Sequence, residues 1–279
     1  MILNNTESSE VENISNMFGT HFSSVFEKDI NNSNSYVCNL SAGIEMSDTI
    51  NIIQFTQEEV KKKLKNLDIY KSVGPDDIHP LLLKNCADIL AVPIATLFNH
   101  SLHSGNFPDK WKEARVIPLH KTGKKDLITN YRPISILSVL SKLLESLVHT
   151  VLYRHLQKYI TVDQHGFVAK RSTNTNLVLF TSELKEAVDH NTQVDVIYTD
   201  FSKAFDKVNY AILIKKLEAF GISGKLLQWC RSYLNSRISR VAVLVLDYRL
   251  SLYLNENVLE FSSGAGKKER TSMTSIAIV

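Results

Sequence analysis

Residues 196–208, VIYTDFSKAFDKV, hold one carboxylate in a setting that could do chemistry. Val196, Ile197, Tyr198 and Thr199 are β-branched or aromatic and predict a strand, which Asp200 ends. Phe201 to Asp206 then turn the chain toward a helix. A carboxylate at the tip of a buried strand suits a metal-dependent phosphoryl-transfer site, because the ions must be held rigidly in a shaped cavity. Two-metal chemistry needs further carboxylates. Without them Asp200 is a strand-end aspartate capping the next turn.

A second group is cationic. Residues 110–132 carry Lys110, Lys112, Arg115, Lys121, Lys124, Lys125 and Arg132 against Glu113 and Asp126. The turn chemistry of Lys121-Thr122-Gly123-Lys124-Lys125 predicts a hairpin tip of ammonium groups between two strands. Such a tip can close over phosphates, and an arginine on the returning strand can bind them bidentately. Taken alone, the run also reads as a solvated loop.

The elements that must position these groups follow from periodicity and punctuation. Thr56 and Glu59 form a capping box opening a helix through Leu67. Residues 80–103 read as a helix bent near Pro93. Residues 115–119 are expected to form a strand and residues 131–136 an extended segment around Pro133. From Ser138 to Tyr159, apolar residues recur at helical spacing. A second such helix spans residues 175–190, capped by Asn174. Asn209 caps a helix ended by Gly221, and residues 224–234 form another. All six prolines fall between Pro75 and Pro133, so the middle third should be the most broken.

Composition bounds the rest. With 279 residues and 44% hydrophobic content, the chain can bury one large or two modest cores. The net charge of +3 hides an asymmetry. Residues 1–55 carry seven acidic side chains against Lys28, and the remaining 31 basic and 22 acidic residues make a basic body. That body suits a polyanion, although such an excess is common in soluble proteins. The first 54 residues are Asn- and Ser-rich and read as a flexible leader with a short helix around Met17, Phe18, Phe22, Val25 and Phe26. Cys38, Cys86 and Cys230 are too scattered for a disulfide framework or a zinc site. The start lacks the features of a signal peptide, and no stretch reaches membrane-spanning length without charges, so an intracellular, soluble chain is expected.

The order of segments resembles the reverse transcriptase domain of non-LTR (LINE-type, jockey-like) retrotransposons. The matching stretches are KSVGPDDIHPLLLK at 71–84, WKEARVIPLHKTGKK at 111–125 and NYRPISILSVLSKLLE at 130–145. DQHGFVAKRSTNTNLV at 163–178, VIYTDFSKAFDKV at 196–208 and GISGKLLQWCRSYLNSR at 221–237 continue the series. The resemblance covers about residues 55–243. It implies an α+β fold: the helix-rich fingers (residues 55–190) and the first part of the palm (residues 191–243) of a right-hand polymerase. The rest of the palm and the thumb would be lacking.

The resemblance also implies roles. Asp200 would be the first catalytic carboxylate and a magnesium ligand, with the Phe201 backbone carbonyl beside it. Phe205 would be the steric gate beneath the incoming sugar. Lys121 and Arg132 would grip the triphosphate, with Arg115 on the matching strand and Gln164 near the nucleotide. Phe167 and Arg171 would lie near the template. The implied partners are an RNA template, a DNA primer and a deoxynucleoside triphosphate, with Mg²⁺ as cofactor and no membrane.

The pattern then breaks. No proline follows Pro133, so the family's Gly-Val-Pro-Gln-Gly type motif is absent. The only adjacent aspartates, Asp76-Asp77, belong to the Gly-Pro-Asp stretch and not to a Tyr-Ala-Asp-Asp type hairpin. Asp247 stands alone, and Gly264 to Lys268 lacks the spacing of a phosphate loop. Residues 244–279 read as an aberrant tail unlike the family. The expectation is a truncated reverse transcriptase, inactive as it stands, or a non-catalytic nucleic-acid-binding or interaction protein derived from one.

Overall fold

The computed structural model describes residues 1–4, 6–24, 48–201, 204–245 and 253–256. It is a mixed helix-and-sheet fold. A two-residue pair, β1 (Ile2–Leu3) and β2 (Thr6–Glu7), precedes α1 (Val11–Ser23). The helices α2 (Gln57–Lys65), α3 (Pro80–Asn85) and α4 (Ala87–Ser104) lead into β3 (Glu113–His120) and β4 (Tyr131–Leu137). Then come α5 (Val139–Leu156), α6 (Thr173–Asp189), α7 (Tyr210–Ala219) and α8 (Gly224–Leu234). The strands β5 (Ile238–Val245) and β6 (Tyr253–Glu256) complete a sheet of order β4-β3-β5-β6.

Most helices form where capping and periodicity place them. Thr56 and Glu59 make the expected capping box at α2, and the Asn209 side chain accepts from Ile212 N at α7. Two assignments are corrected. The single helix expected over residues 80–103 is interrupted at Cys86, between α3 and α4, and Pro93 lies within α4. The cap of α6 is Ser172: its backbone is extended, its hydroxyl accepts from Thr175 N, and Thr175 Oγ1 accepts from Ser172 N. Asn174 is already within the first turn.

The main core joins α2, α4, α5, α7 and α8. Leu64, Phe98, Leu144, Val148, Leu152, Leu226 and Trp229 are all fully or almost fully buried in it. Each such side chain contributes on the order of 1.5–3 kcal/mol of burial free energy. Trp229 Nε1 donates to Ser101 Oγ at 2.9 Å, which satisfies the one polar atom of this large buried ring. Phe107 stands edge-on to both Trp229 and Tyr233.

One buried polar cluster ties the sheet to this core. Glu145 on α5 is 2% exposed and accepts from Ser141 Oγ at 2.8 Å. Burial pushes its carboxyl pKa up, opposed by the nearby Arg237, Ser141 and Tyr233. Arg237 lies over the Tyr233 ring and donates to the Tyr233 carbonyl just before β5 begins. These contacts fix where β5 enters the sheet.

A smaller core lies under the sheet. Phe18 and Phe22 of α1 pack with Val116, Ile128 and Val241, and Ser15 Oγ donates to the Val241 carbonyl. The short helix expected near the N-terminus is therefore docked on the sheet. Val25, Phe26 and Cys38 lie outside the described residues.

The largest departure concerns residues 191–201. The strand expected over 196–199 does not form; Ile197 and Tyr198 are 86% and 84% exposed. Strand propensity reflects how well side chains fit a pleated, half-buried surface, and that surface requires a paired neighbour. Among the described residues no strand pairs with this segment. The preceding helix α6 has no buried residue either, and its Leu177, Val178, Leu179 and Val188 are all at least half exposed.

Candidate functional site

The β3–β4 hairpin is the best-defined part of the candidate site. The strands are antiparallel, with Arg115 opposite Ile136 and Leu119 opposite Arg132. Side chains alternate between faces, and directly opposed residues share a face. Arg115 and Arg132 therefore project from the same face of the sheet. The other face carries Val116 and Tyr131, which α1 covers through Phe18. The arginine face stays open toward the hairpin end, where Leu119 and Arg132 are exposed.

The connection between the strands holds the lysines. Lys121 N donates to the Asn130 carbonyl, continuing the ladder by one step. The Asn130 carboxamide donates to the Lys124 carbonyl, and the Tyr131 hydroxyl donates to the Lys125 carbonyl. Gly123 has φ +84°, and a Cβ there would sit 2.7 Å from Asn130 Nδ2. Backbone bonds thus shape the tip, while Lys121, Lys124 and Lys125 remain exposed.

The fold adds an arginine that the motif reading did not select. β5 runs parallel to β3 with Arg240 opposite Arg115, so Arg240 joins Arg115 and Arg132 on one face. Its nearest carboxylate is Glu113, at 3.8 Å. Arg115 itself lies 3.4 Å from Asp77. The alternation Ile238, Arg240, Ala242 signals that Arg240 leaves its strand opposite Val241. The parallel pairing that sets it beside Arg115 joins residues far apart in the chain, which no local pattern encodes.

Asp76 and Asp77 are structural. Ser138 Oγ donates to Asp76 Oδ2, so this carboxylate sits at the N-terminus of α5, where the helix dipole favours negative charge. Gly74 permits the approach: a Cβ there would lie 2.6 Å from Ser138 Cα and 2.8 Å from the Leu137 carbonyl oxygen.

The loop between α5 and α6 is built around Arg171. Its Nη1 donates to the carbonyls of Thr161, Val162 and Gln164 at 3.1, 2.8 and 2.6 Å. A guanidinium so engaged is a brace for its loop. Gln164 Nε2 donates to the Gly166 carbonyl at 3.1 Å. Phe167, at φ +62°, stands edge-on to Phe205 with ring centroids 5.8 Å apart. This pair joins the loop to the turn after Asp200.

Asp200 and Phe201 lie in the exposed stretch that precedes this turn, and Phe201 is 81% exposed. Among the described residues no three His, Cys, Asp or Glu side chains are grouped as a metal would require. Asp206 is buried in the turn itself. Asp247 and residues 264–268 lie outside the described residues. The structure therefore sets Arg115 beside Arg240, places Arg132 on the same face four residues further along, and brings Phe167 together with Phe205. It shows no grouping of Asp200 with a second carboxylate among the described residues.

A two-sided sheet with a basic hairpin and this motif order defines a class. Residues 120–261 match the family described as reverse transcriptase (RNA-dependent DNA polymerase), and the chain belongs to that family. It is similar to a probable RNA-directed DNA polymerase from transposon BS of Drosophila melanogaster, 32% identical over 58% of this chain and 18% of that protein. It also resembles the RNA-directed DNA polymerase from the mobile element jockey of the same organism, 30% identical over 67% of this chain and 21% of that protein. A Pol polyprotein from the type-2 retrotransposable element R2DM is 26% identical over 64% of this chain and 16% of that protein. The chain spans about a fifth of the length of these curated relatives. Among the described residues no helix is long and apolar enough to cross a membrane.

Proposed function

We propose that this chain is the nucleic-acid- and nucleotide-holding part of a non-LTR retrotransposon RNA-directed DNA polymerase, and that alone it does not complete nucleotidyl transfer. The observation that carries the reading is the basic sheet face on which Arg132 stands beside the Lys121 hairpin tip, with the opposed pair Arg115 and Arg240 further along the same face. A planar guanidinium meets phosphate bidentately, so Arg132 with the lysines of the tip suits the triphosphate of an incoming nucleotide, and Arg115 with Arg240 offers a separate phosphate contact further along the face. Residues 55–190 would act as fingers and residues 191–243 as the start of a palm. Phe205, braced by Phe167, would face the sugar, and the loop held by Arg171 would border the template.

Magnesium ions, when bound in such polymerases, would neutralise charge on the attacking and leaving oxygens. The described donors do not fit two ions: Asp200 sits on an exposed, unpaired segment, and no carboxylate cluster accompanies it. Each roughly 1.4 kcal/mol of lost transition-state stabilisation costs tenfold in rate, so an incomplete clamp should cost several powers of ten. A second reading, a non-catalytic nucleic-acid-binding protein, rests on the same basic face.

The test combines binding and extension. Purified protein should bind a primed RNA template with an affinity that falls steeply with salt, and Arg132→Ala should weaken that binding. Primer extension with Mg²⁺ and deoxynucleotides should stay at background. Extension that disappears in Asp200→Asn would refute the inactivity. Binding independent of salt and of Arg132 would remove the nucleic-acid role.

A further inference from the structure

Away from the arginine face, α2 and α5 enclose a groove of about 680 Å³. Its walls carry Lys62 and Lys63 on α2, Lys71 beyond it, and Lys142 and Arg154 on α5. Lys142, Ser146, Thr150 and Arg154 recur every fourth residue, so they form one polar row along α5 about 18 Å long. Lys62, Lys63 and Asn66 face it from α2.

The two carboxylates at this groove already have work. Glu59 accepts from Thr56 N and Oγ1 in the capping box, and Asp68 accepts from Tyr70 N. The ion pairs of α2 lie elsewhere: Lys61 and Lys65 both meet Asp88. Lys62, Lys63, Lys71 and Arg154 make no ion pair among the described residues. Their field is felt locally, since Lys63 adds to burial in lowering the pKa of His149. Like charges held this close without partners cost stability unless a polyanion relieves them.

The floor narrows the choice of occupant. Phe55, Leu143 and Leu147 are at most 5% exposed, Leu67 and Val151 are partly buried, and the basic side chains rim this apolar floor. No exposed aromatic ring lines the groove for base stacking. What it offers a visitor is an apolar floor flanked by two rows of ammonium, guanidinium, hydroxyl and amide groups. We infer that the α2–α5 groove binds an extended single-stranded nucleic acid through its phosphates, without reading its bases. This inference goes beyond the proposed arginine face and rests on the nucleic-acid-binding reading.

The experiment follows binding of a short labelled oligouridylate by fluorescence anisotropy across a salt series. Lys62→Gln/Lys63→Gln/Arg154→Gln should weaken binding about tenfold at low salt. It should also flatten the slope of log affinity on log salt by roughly 2, at about 0.7 per phosphate contact on a single strand. Should this variant melt early by circular dichroism, Lys62→Gln/Lys63→Gln replaces it, with a loss of roughly 1.4 in slope. Lys121→Gln/Lys124→Gln/Lys125→Gln is the parallel variant of the hairpin tip. If the groove variant keeps wild-type affinity and slope while the hairpin variant loses both, the groove inference fails and the broader reading stands. If the wild type does not bind at low salt, both fail. Oligoglutamate of equal charge competing as well as unlabelled oligouridylate would overturn the assignment to phosphates.

Discussion

The chemistry of single residues is set by what surrounds them. Cys230 is buried, and desolvation pushes its thiol pKa up to about 12, so it holds almost no thiolate at neutral pH. Cys86, at the break between α3 and α4, is partly exposed. In native protein a thiol-specific reagent should therefore modify Cys86 and leave Cys230 untouched until the chain unfolds; peptide mapping of the labelled sites checks this. His149 gives a pH signature. Burial and then the Lys63 ammonium lower its pKa below the ordinary 6.5. The unfolded chain consequently binds the proton more readily than the folded one, and His149 contributes stability above pH 6.5 that is lost as pH falls through its lowered value. Urea denaturation at neutral and mildly acidic pH should show His149→Gln with a shallower loss of stability toward acid than wild type. A steeper loss would mean that the imidazolium is stabilised in place.

At the scale of elements, the tightest joint is the loop of residues 74–77 against the start of α5. A methyl group added at Gly74 would meet only backbone, at Ser138 and Leu137, and neither can rotate away. Gly74→Ala should therefore push the loop off α5, weaken the Asp76–Ser138 bond and destabilise the protein by about 1–3 kcal/mol, the usual range for overpacking. Chemical denaturation reads this directly. A neutral substitution would show that the loop can slide. Much of this scale was legible in advance, because the Thr56–Glu59 capping box, the Asn209 cap and the turn at Gly123 are local rules written in adjacent residues. The helix over residues 80–104 was harder. Its break at Cys86 carries no local signature, while Pro93, which does, sits inside α4. The Asp76-Asp77 stretch was legible as something other than a metal pair, but its hold on Ser138 depends on packing that only the fold supplies.

Across the whole molecule, the hydrophobic residues divide into those that found partners and those that did not. Apolar spacing alone made α5 and α6 look equivalent. In the fold Leu144, Val148 and Leu152 of α5 are fully buried, whereas α6 buries nothing. The same contrast separates residues 196–199 (VIYT) from β3 (EARVIPLH), although the first is the richer in β-forming residues. β3 is flanked on both sides by β4 and β5, and residues 196–199 by no described strand. Sequence reports the capacity to be buried; the neighbour that does the burying is a property of the assembled chain, and for Asp200 that neighbour decides whether a metal site can exist. Native-state hydrogen exchange tests the division. Local opening is cheapest where few apolar contacts must be broken. Backbone amides of residues 173–201 should exchange with little protection, while those of α5 and α8 exchange only with global unfolding. Protection of residues 173–201 equal to that of α5 would mean that this stretch is covered in solution, and Asp200 would then have to be weighed again as a site residue. Protection gained only on adding RNA would instead indicate that the nucleic acid supplies the missing surface.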